Sequence, residues 1–223
     1  MLHKFLCTLF FLLFFSFGNV AVAQKIKAQL IGGITASQIN GDGDSGFRKL
    51  GFTGGFGAFI PIKNKFSFSF EGLYSSRGAS SALKCSDSTC IDGFKFKINT
   101  TYVEVPILLN YRDKSNVSFG AGVSIGRLIR YSYQENGYAT IEPRDLDLEN
   151  NNMDYSALAE GSYRMFDNVW INLRYQYSIV PFAKNKFSRY NRFGAFHNSV
   201  GIRIKYIFKS VDNRGRIAPE TQP

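Results

Sequence analysis

Along most of this chain, apolar and polar residues alternate with a period of two. In "KFSFSFEGLYSS", Phe66, Phe68, Phe70 and Tyr74 fall on one face, with Ser67, Ser69, Glu71 and Ser75 on the other. "VWINLRYQYSIV" sets Val169, Ile171, Leu173, Tyr175, Tyr177 and Ile179 against Asn172, Arg174, Gln176 and Ser178. "SVGIRIKYIF" sets Val200, Ile202, Ile204, Tyr206 and Phe208 against Gly201, Arg203 and Lys205. Aromatic and β-branched residues in this alternation predict strands with one apolar face and one polar face. No stretch carries the 3.6-residue period of an amphipathic helix, so the predicted fold class is all-β.

Eight segments carry the pattern: roughly 27–39, 50–61, 65–76, 97–111, 116–131, 153–165, 168–181 and 193–208. The connections alternate in length. Those near Pro61–Lys65, Arg112–Ser115 and Phe166–Asp167 are tight, whereas 40–49, 77–96, 132–152 and 182–192 are long and polar. Short turns at one end and long loops at the other predict an eight-stranded antiparallel up-and-down transmembrane β-barrel. The segments exceed the roughly 9–11 residues needed to cross hydrocarbon when tilted. The sheet must close, because an open edge in lipid would leave backbone groups without partners.

The polar face then becomes the lumen. By phase, Glu71, Glu104, Glu160, Arg164, Arg174, Arg203 and Lys205 share it. Isolated charges in a narrow interior are costly, so these carboxylates and cations are expected to pair. Side chains just fill an eight-stranded barrel. An interior charge network acting as a plug is therefore expected, rather than a pore lining or a catalytic set. Gly55, Gly57, Gly120 and Gly122 on the same face would make room for it.

Composition refines this picture. The 223 residues, 44% of them hydrophobic, are enough for one domain. The opening "MLHKFLCTLFFLLFFSFGNVAVAQ" has a basic residue, Lys4, an apolar run from Phe5 to Phe17 and an A-x-A motif ending at Ala23. That is the layout of a signal peptide, and the run is shorter than the roughly 20 residues of a spanning helix. The expected division is 1–23 signal peptide, 24–208 barrel and 209–223 polar tail. Beyond the leader, Cys85 and Cys90 are the two cysteines, in "KCSDSTCIDG". An exported protein favours a local disulfide between them, with free thiols as the alternative. A metal site lacks partners, since His197 is the one histidine outside the leader. The net charge of +10 raises nucleic acid as a partner, but no recognition helix or basic stripe with interleaved aromatics supports it.

Three constellations could carry chemistry. His197 and Ser199 lie two apart on the last strand, the spacing of a pair that faces one way. Such a pair would need an orienting carboxylate to deacylate lipid, and its phase puts it in the lumen with Arg203, away from acyl chains. Asn40, Asp42 and Asp44 have the opening spacing of a calcium loop, but Gly51 stands where the twelfth-position Glu belongs. These residues are also ordinary turn formers. Finally, Arg130 and Arg144 with Glu135, Glu142, Asp145, Asp147, Glu149 and Asp154 make one long loop acidic. Lys184, Lys186, Arg189 and Arg192 make the next one a surface-loop basic cluster. The two loops are expected to pack together or to be solvated; alternatively, the basic one binds lipopolysaccharide phosphates and the acidic one divalent ions.

"LIGGITASQINGDGDSGFRKLGFTGGFGAFIPIKNKFSFSFEGLYSSRG" is similar to the opening half of PorT-family outer-membrane β-barrel proteins of Gram-negative bacteria. "YVEVPILLNYR", with Glu104 before Pro106, resembles that family's fourth strand, and "GIRIKYIF" its closing strand. The likeness covers about 24–208. It implies an outer-membrane barrel, and its namesake implies a link to protein secretion. The expectation is thus an exported outer-membrane protein, structural or interactive rather than enzymatic, and without a cofactor. Its partners would be outer-membrane lipid and lipopolysaccharide, and proteins meeting its surface loops. The competing readings are a lipid A-modifying barrel enzyme and a secreted lipocalin-like carrier, whose apolar faces would line a cavity instead.

Overall fold

The computed structural model describes residues 26–40, 46–63, 65–80, 96–113, 115–135, 138–141, 152–181 and 196–209. Nine strands run in chain order: β1 (Lys27–Asn40), β2 (Lys49–Lys63), β3 (Phe66–Ser80), β4 (Phe96–Arg112), β5 (Val117–Glu135), β6 (Tyr138–Ile141), β7 (Met153–Arg164), β8 (Val169–Ser178) and β9 (Phe196–Ile207). Every pairing is antiparallel. The order is β4-β3-β2-β1-β9-β8-β7-β5-β6, and β4 also pairs with β5, which closes the sheet on itself. The short β6 pairs with the far end of β5 and stays outside the ring. The barrel proper therefore has eight strands, and β1 and β9 form its seam.

Each of the eight predicted segments corresponds to one barrel strand. The largest differences lie at the loop-side ends, where β3 continues to Ser80 and β5 to Glu135. There both faces turn polar, so side-chain alternation fades although backbone pairing persists, with Ser80 opposite Lys97 and Lys97 opposite Gln134. Gly78 in this extension has φ 151, and a Cβ there would lie 1.9 Å from the Ile98 carbonyl oxygen, so the position requires glycine.

The apolar phase points outward. Leu30, Ile34, Phe56, Val105, Ile107, Val123, Leu173, Ile202 and Ile204 are all exposed, whereas the alternate residues of the same strands are buried or half-buried. This is the reverse of a water-soluble sheet, and it fits a wall that meets hydrocarbon. Aromatics bound the wall at both ends. On the turn side, Phe66 packs against Tyr111 and Tyr206 against Phe208, with ring centroids 5.4 and 4.9 Å apart. On the loop side, Phe52 stacks on Tyr74 at 5.7 Å. The wall from Tyr111 to Val103 is about 26 Å of strand at 3.3 Å per residue, or roughly 20 Å of height at a 40° tilt, close to the band of outer-membrane barrels. Below it, in the turn between β2 and β3, the Lys65 ammonium donates to the Tyr111 hydroxyl at 3.1 Å, which raises its pKa above the ordinary lysine value.

Candidate functional site

Among the described residues, eight charged side chains are buried in the lumen, in two clusters. Nearer the turns, Glu71 of β3 and Glu160 of β7 face Arg174 of β8 and Arg203 and Lys205 of β9. Arg174 Nη2 lies 2.8 Å from Glu71 Oε2 and 2.7 Å from Glu160 Oε2. Arg203 reaches the same two oxygens, at 3.3 Å through Nη1 and 2.7 Å through Nη2. Lys205 Nζ lies 2.6 Å from Glu160 Oε1 and 3.2 Å from Glu71 Oε1. Asn172 Oδ1 accepts from Arg203 Nε at 2.8 Å.

Nearer the loops, Arg77 pairs with Glu104 of β4 and, at 3.2 Å, with Asp154 of β7. Glu104 also accepts from Ser75 at 2.5 Å, from Gln176 at 2.9 Å and from Ser124 at 3.4 Å. Asp154 accepts from Ser156 at 2.7 Å and from Ser178 at 2.5 Å. Arg77 lies 5.5 Å from the centroid of the Tyr102 ring, whose hydroxyl is 3.0 Å from His197 Nε2. The four cations and four carboxylates balance. The turn-side cluster carries one excess positive charge and the loop-side cluster one excess negative charge, so each offsets the other across the lumen.

The local sequence explains this placement. Strand alternation aims every second residue inward, and antiparallel register brings complementary polar groups side by side: Glu160 is directly opposite Arg174, and the Asn172 amide opposite Arg203. Glycines make room. A Cβ on Gly120 would sit 2.3 Å from Asn110 Oδ1 and 2.9 Å from Glu160 Cγ. A Cβ on Gly57 would fall 2.4 Å from the Phe70 carbonyl oxygen and 2.8 Å from Gln29 Nε2, whereas Gly55 and Gly122 bring backbones close. A cavity of about 20 Å³ lies between the clusters, lined by Ser75, Arg77, Glu104, Arg174, Gln176 and Arg203 among others. That is room for one water and not for a solute. At the turn end, the Arg112 guanidinium lies 4.8 Å from the centroid of the buried Trp170 ring.

Of the residues that sequence phase assigns to the lumen, Glu71, Glu104, Glu160, Arg174, Arg203 and Lys205 come together inside. Arg164 does not. It has the inward phase but ends β7, where it reaches Asp167 in the following turn at 3.4 Å, below the paired layer. Two members escape the sequence reading: Arg77, which falls where polar neighbours suggest a loop, and Asp154, which opens the predicted segment 153–165 but is grouped by charge with the acidic loop before it. The available signal is phase, since each lies six residues from a lumen glutamate on its own strand, Glu71 and Glu160. Asp154 thus belongs to the interior, with 2% exposure, and not to an acidic surface loop. His197 and Ser199 are both buried inside the barrel. Among the described residues, no group of three His, Cys, Asp or Glu is placed to hold a metal ion. Cys85 and Cys90, Asp42 and Asp44, the basic cluster Lys184, Lys186, Arg189 and Arg192, the leader and the tail beyond 209 lie outside the described residues.

The family model described as "Outer membrane protein beta-barrel domain" matches residues 16–184. No curated protein matches the chain. Among solved structures, neisserial surface protein A is similar at 14% identity over 82% of this chain and 97% of its own, with a TM-score of 0.48. The attachment invasion locus protein Ail of Yersinia pestis is similar at 14% identity over 83% and 99%, with a TM-score of 0.41. A de novo designed transmembrane β-barrel is similar at 11% identity over 82% and 95%, with a TM-score of 0.37.

Proposed function

Because the chain belongs to the outer membrane protein beta-barrel domain family, we propose that this outer-membrane protein acts as a sealed anchor. Its work is to present loops to lipid, to partner proteins and to the surroundings of the cell. The observation that carries this reading is the inverted barrel, in which the apolar phase is exposed on the outer wall and all eight lumen charges are paired within. A ligand carrier would need the opposite phase. A barrel enzyme acting on acyl chains would need its nucleophile on the outer wall or at the rim, whereas Ser199 is 5% exposed and faces the lumen. The reading is therefore of a protein that is neither an enzyme nor an open pore. A place among PorT-type barrels, with their link to protein secretion, is its narrower form and rests on the strand motifs around Glu71 and Glu104.

Gel mobility of the membrane fraction tests the proposal. A closed barrel resists unboiled detergent, so the band is expected to shift on heating and to remain with the membranes. A soluble product whose mobility ignores heating would overturn it.

A further inference from the structure

The outer wall changes character at one level of β4 and β5. From the turn side upward, the directly opposed outward pairs are Leu109–Ala121, Ile107–Val123 and Val105–Ile125, all apolar. The next outward pair is Val103–Arg127, followed by Thr101–Arg130 and, further up, Lys97–Gln134. Arg127, Arg130 and Lys97 are exposed. No ion pair to a described acid holds any of them. At matching loop-side outward positions the other strands place Ala36, Leu50, Ser76, Met153, Tyr177 and Val200. Among these described strand positions the cations are concentrated on one strand pair; Arg48, also exposed, precedes β2.

A second, independent feature builds this patch. The register shifts between Thr101 and Tyr102, whose partners are Arg130 and Leu128, so Ile129 is an extra residue in β5. Without that bulge Arg130 would share the inward phase of Leu128. With it, Arg130 turns outward near Arg127. A bulge that re-aims a side chain at a sheet rim is a recognised device for building a site.

From this geometry we propose that Arg127 and Arg130, with Lys97 above them, hold the phosphate of a lipid in the loop-side leaflet. The partner is a phosphorylated glycolipid whose acyl chains lie on Val105, Ile107, Val123 and Ile125. The proposal rests on the membrane reading above and adds its lipid partner. The level argues for a membrane lipid over a soluble anion. Arg127 stands at the top rung of the wall, opposite Val103, with Met153 beside it on β7 and Tyr155 close by. A phosphate carried on a lipid is held at that level by its chains against the wall below, whereas a free phosphate has no such anchor. Two guanidinia give forked donors that match phosphate oxygens.

The full-length protein, exported and purified in mild detergent, is exchanged into phosphatidylcholine nanodiscs carrying lipid A, and retained lipid A is measured by mass spectrometry. The wild type and Lys65→Gln, altered on the turn side, are expected to enrich lipid A. The double variant R127Q/R130Q should lose about tenfold of that enrichment, as expected when charge-assisted contacts are removed. Dephosphorylated lipid A should not be enriched, and inorganic phosphate should not displace the bound lipid. Equal retention by R127Q/R130Q, enrichment of dephosphorylated lipid A, or displacement by inorganic phosphate would each overturn the proposal. A heat-shift gel on the same samples separates the two layers. A barrel that inserts but ignores lipid phosphate refutes this inference alone, whereas a chain that never inserts refutes the membrane reading as well.

Discussion

Glu160 takes three cations at once, Arg174, Arg203 and Lys205, while Glu71 shares the same three from the opposite wall. Removing one carboxylate here strands buried positive charge, which costs more than the net worth of any single pair. Glu160→Gln is therefore expected to destabilise the barrel by about 3–5 kcal/mol. The measurement is urea unfolding in lipid vesicles, followed through Trp170, the single tryptophan. An unchanged midpoint would show that Glu71 alone balances the cluster. The lumen glycines offer a matched contrast. Gly120→Ala drives its methyl into Asn110 and Glu160 and is expected to cost about 1–3 kcal/mol, as overpacking does. Gly32→Ala faces open space on the outer wall and should stay within about 0.5 kcal/mol. Equal effects at the two sites would mean that crowding in the lumen does not limit this fold.

At the scale of the strand, depth in the wall sets the cost of a charge. Ile107 sits between the two aromatic ends of the wall, opposite Phe70 and Val123. Ile107→Arg should lower the unfolding free energy by about 2–4 kcal/mol, whereas Val103→Arg at the rim should cost at most about 1 kcal/mol. Equal penalties in the same vesicle assay would show that the wall does not lie in hydrocarbon at this height. Period-two alternation made these strands legible because one face meets lipid and the other meets packed polar groups. It stops at the rim, where β3 beyond Ser76 and β5 beyond Tyr131 are polar on both faces while the ladder goes on. Arg77 was hidden for that reason, and Asp154 because its charge groups it with the acidic stretch just before β7, although the phase of Glu71 and Glu160 runs straight to them. Arg164 shows the converse error. Phase gives direction but not height, and at the end of β7 the inward direction leads to a turn. The bulge at Ile129 was beyond the reach of pattern altogether, because only the partner register reveals one extra residue.

For the whole molecule, the proposed reading of a sealed anchor takes the paired lumen and its water-sized gap as closing the barrel to solutes. Liposomes carrying the folded protein are expected to swell in sugar solutions no faster than empty ones. Swelling above that background would show that the charge clusters part in the membrane, and it would turn attention from the loops to the lumen.

The seam has a consequence in time as well as in space. β1, the first strand, is hydrogen-bonded to β9, the last, from Gln29–Ile207 to Asn40–Phe196. Until the final strand has left the ribosome and crossed the inner membrane, the sheet keeps two open edges and lipid cannot receive it. Folding therefore cannot keep pace with synthesis. The chain is therefore expected to reach the membrane unfolded, and the closing contact has the greatest sequence separation of any described strand pair, which favours slow closure. A chain cut short before Phe196 should then be cleared as waste instead of persisting as a smaller barrel. Closure of the β1–β9 seam would then be the checkpoint for assembly.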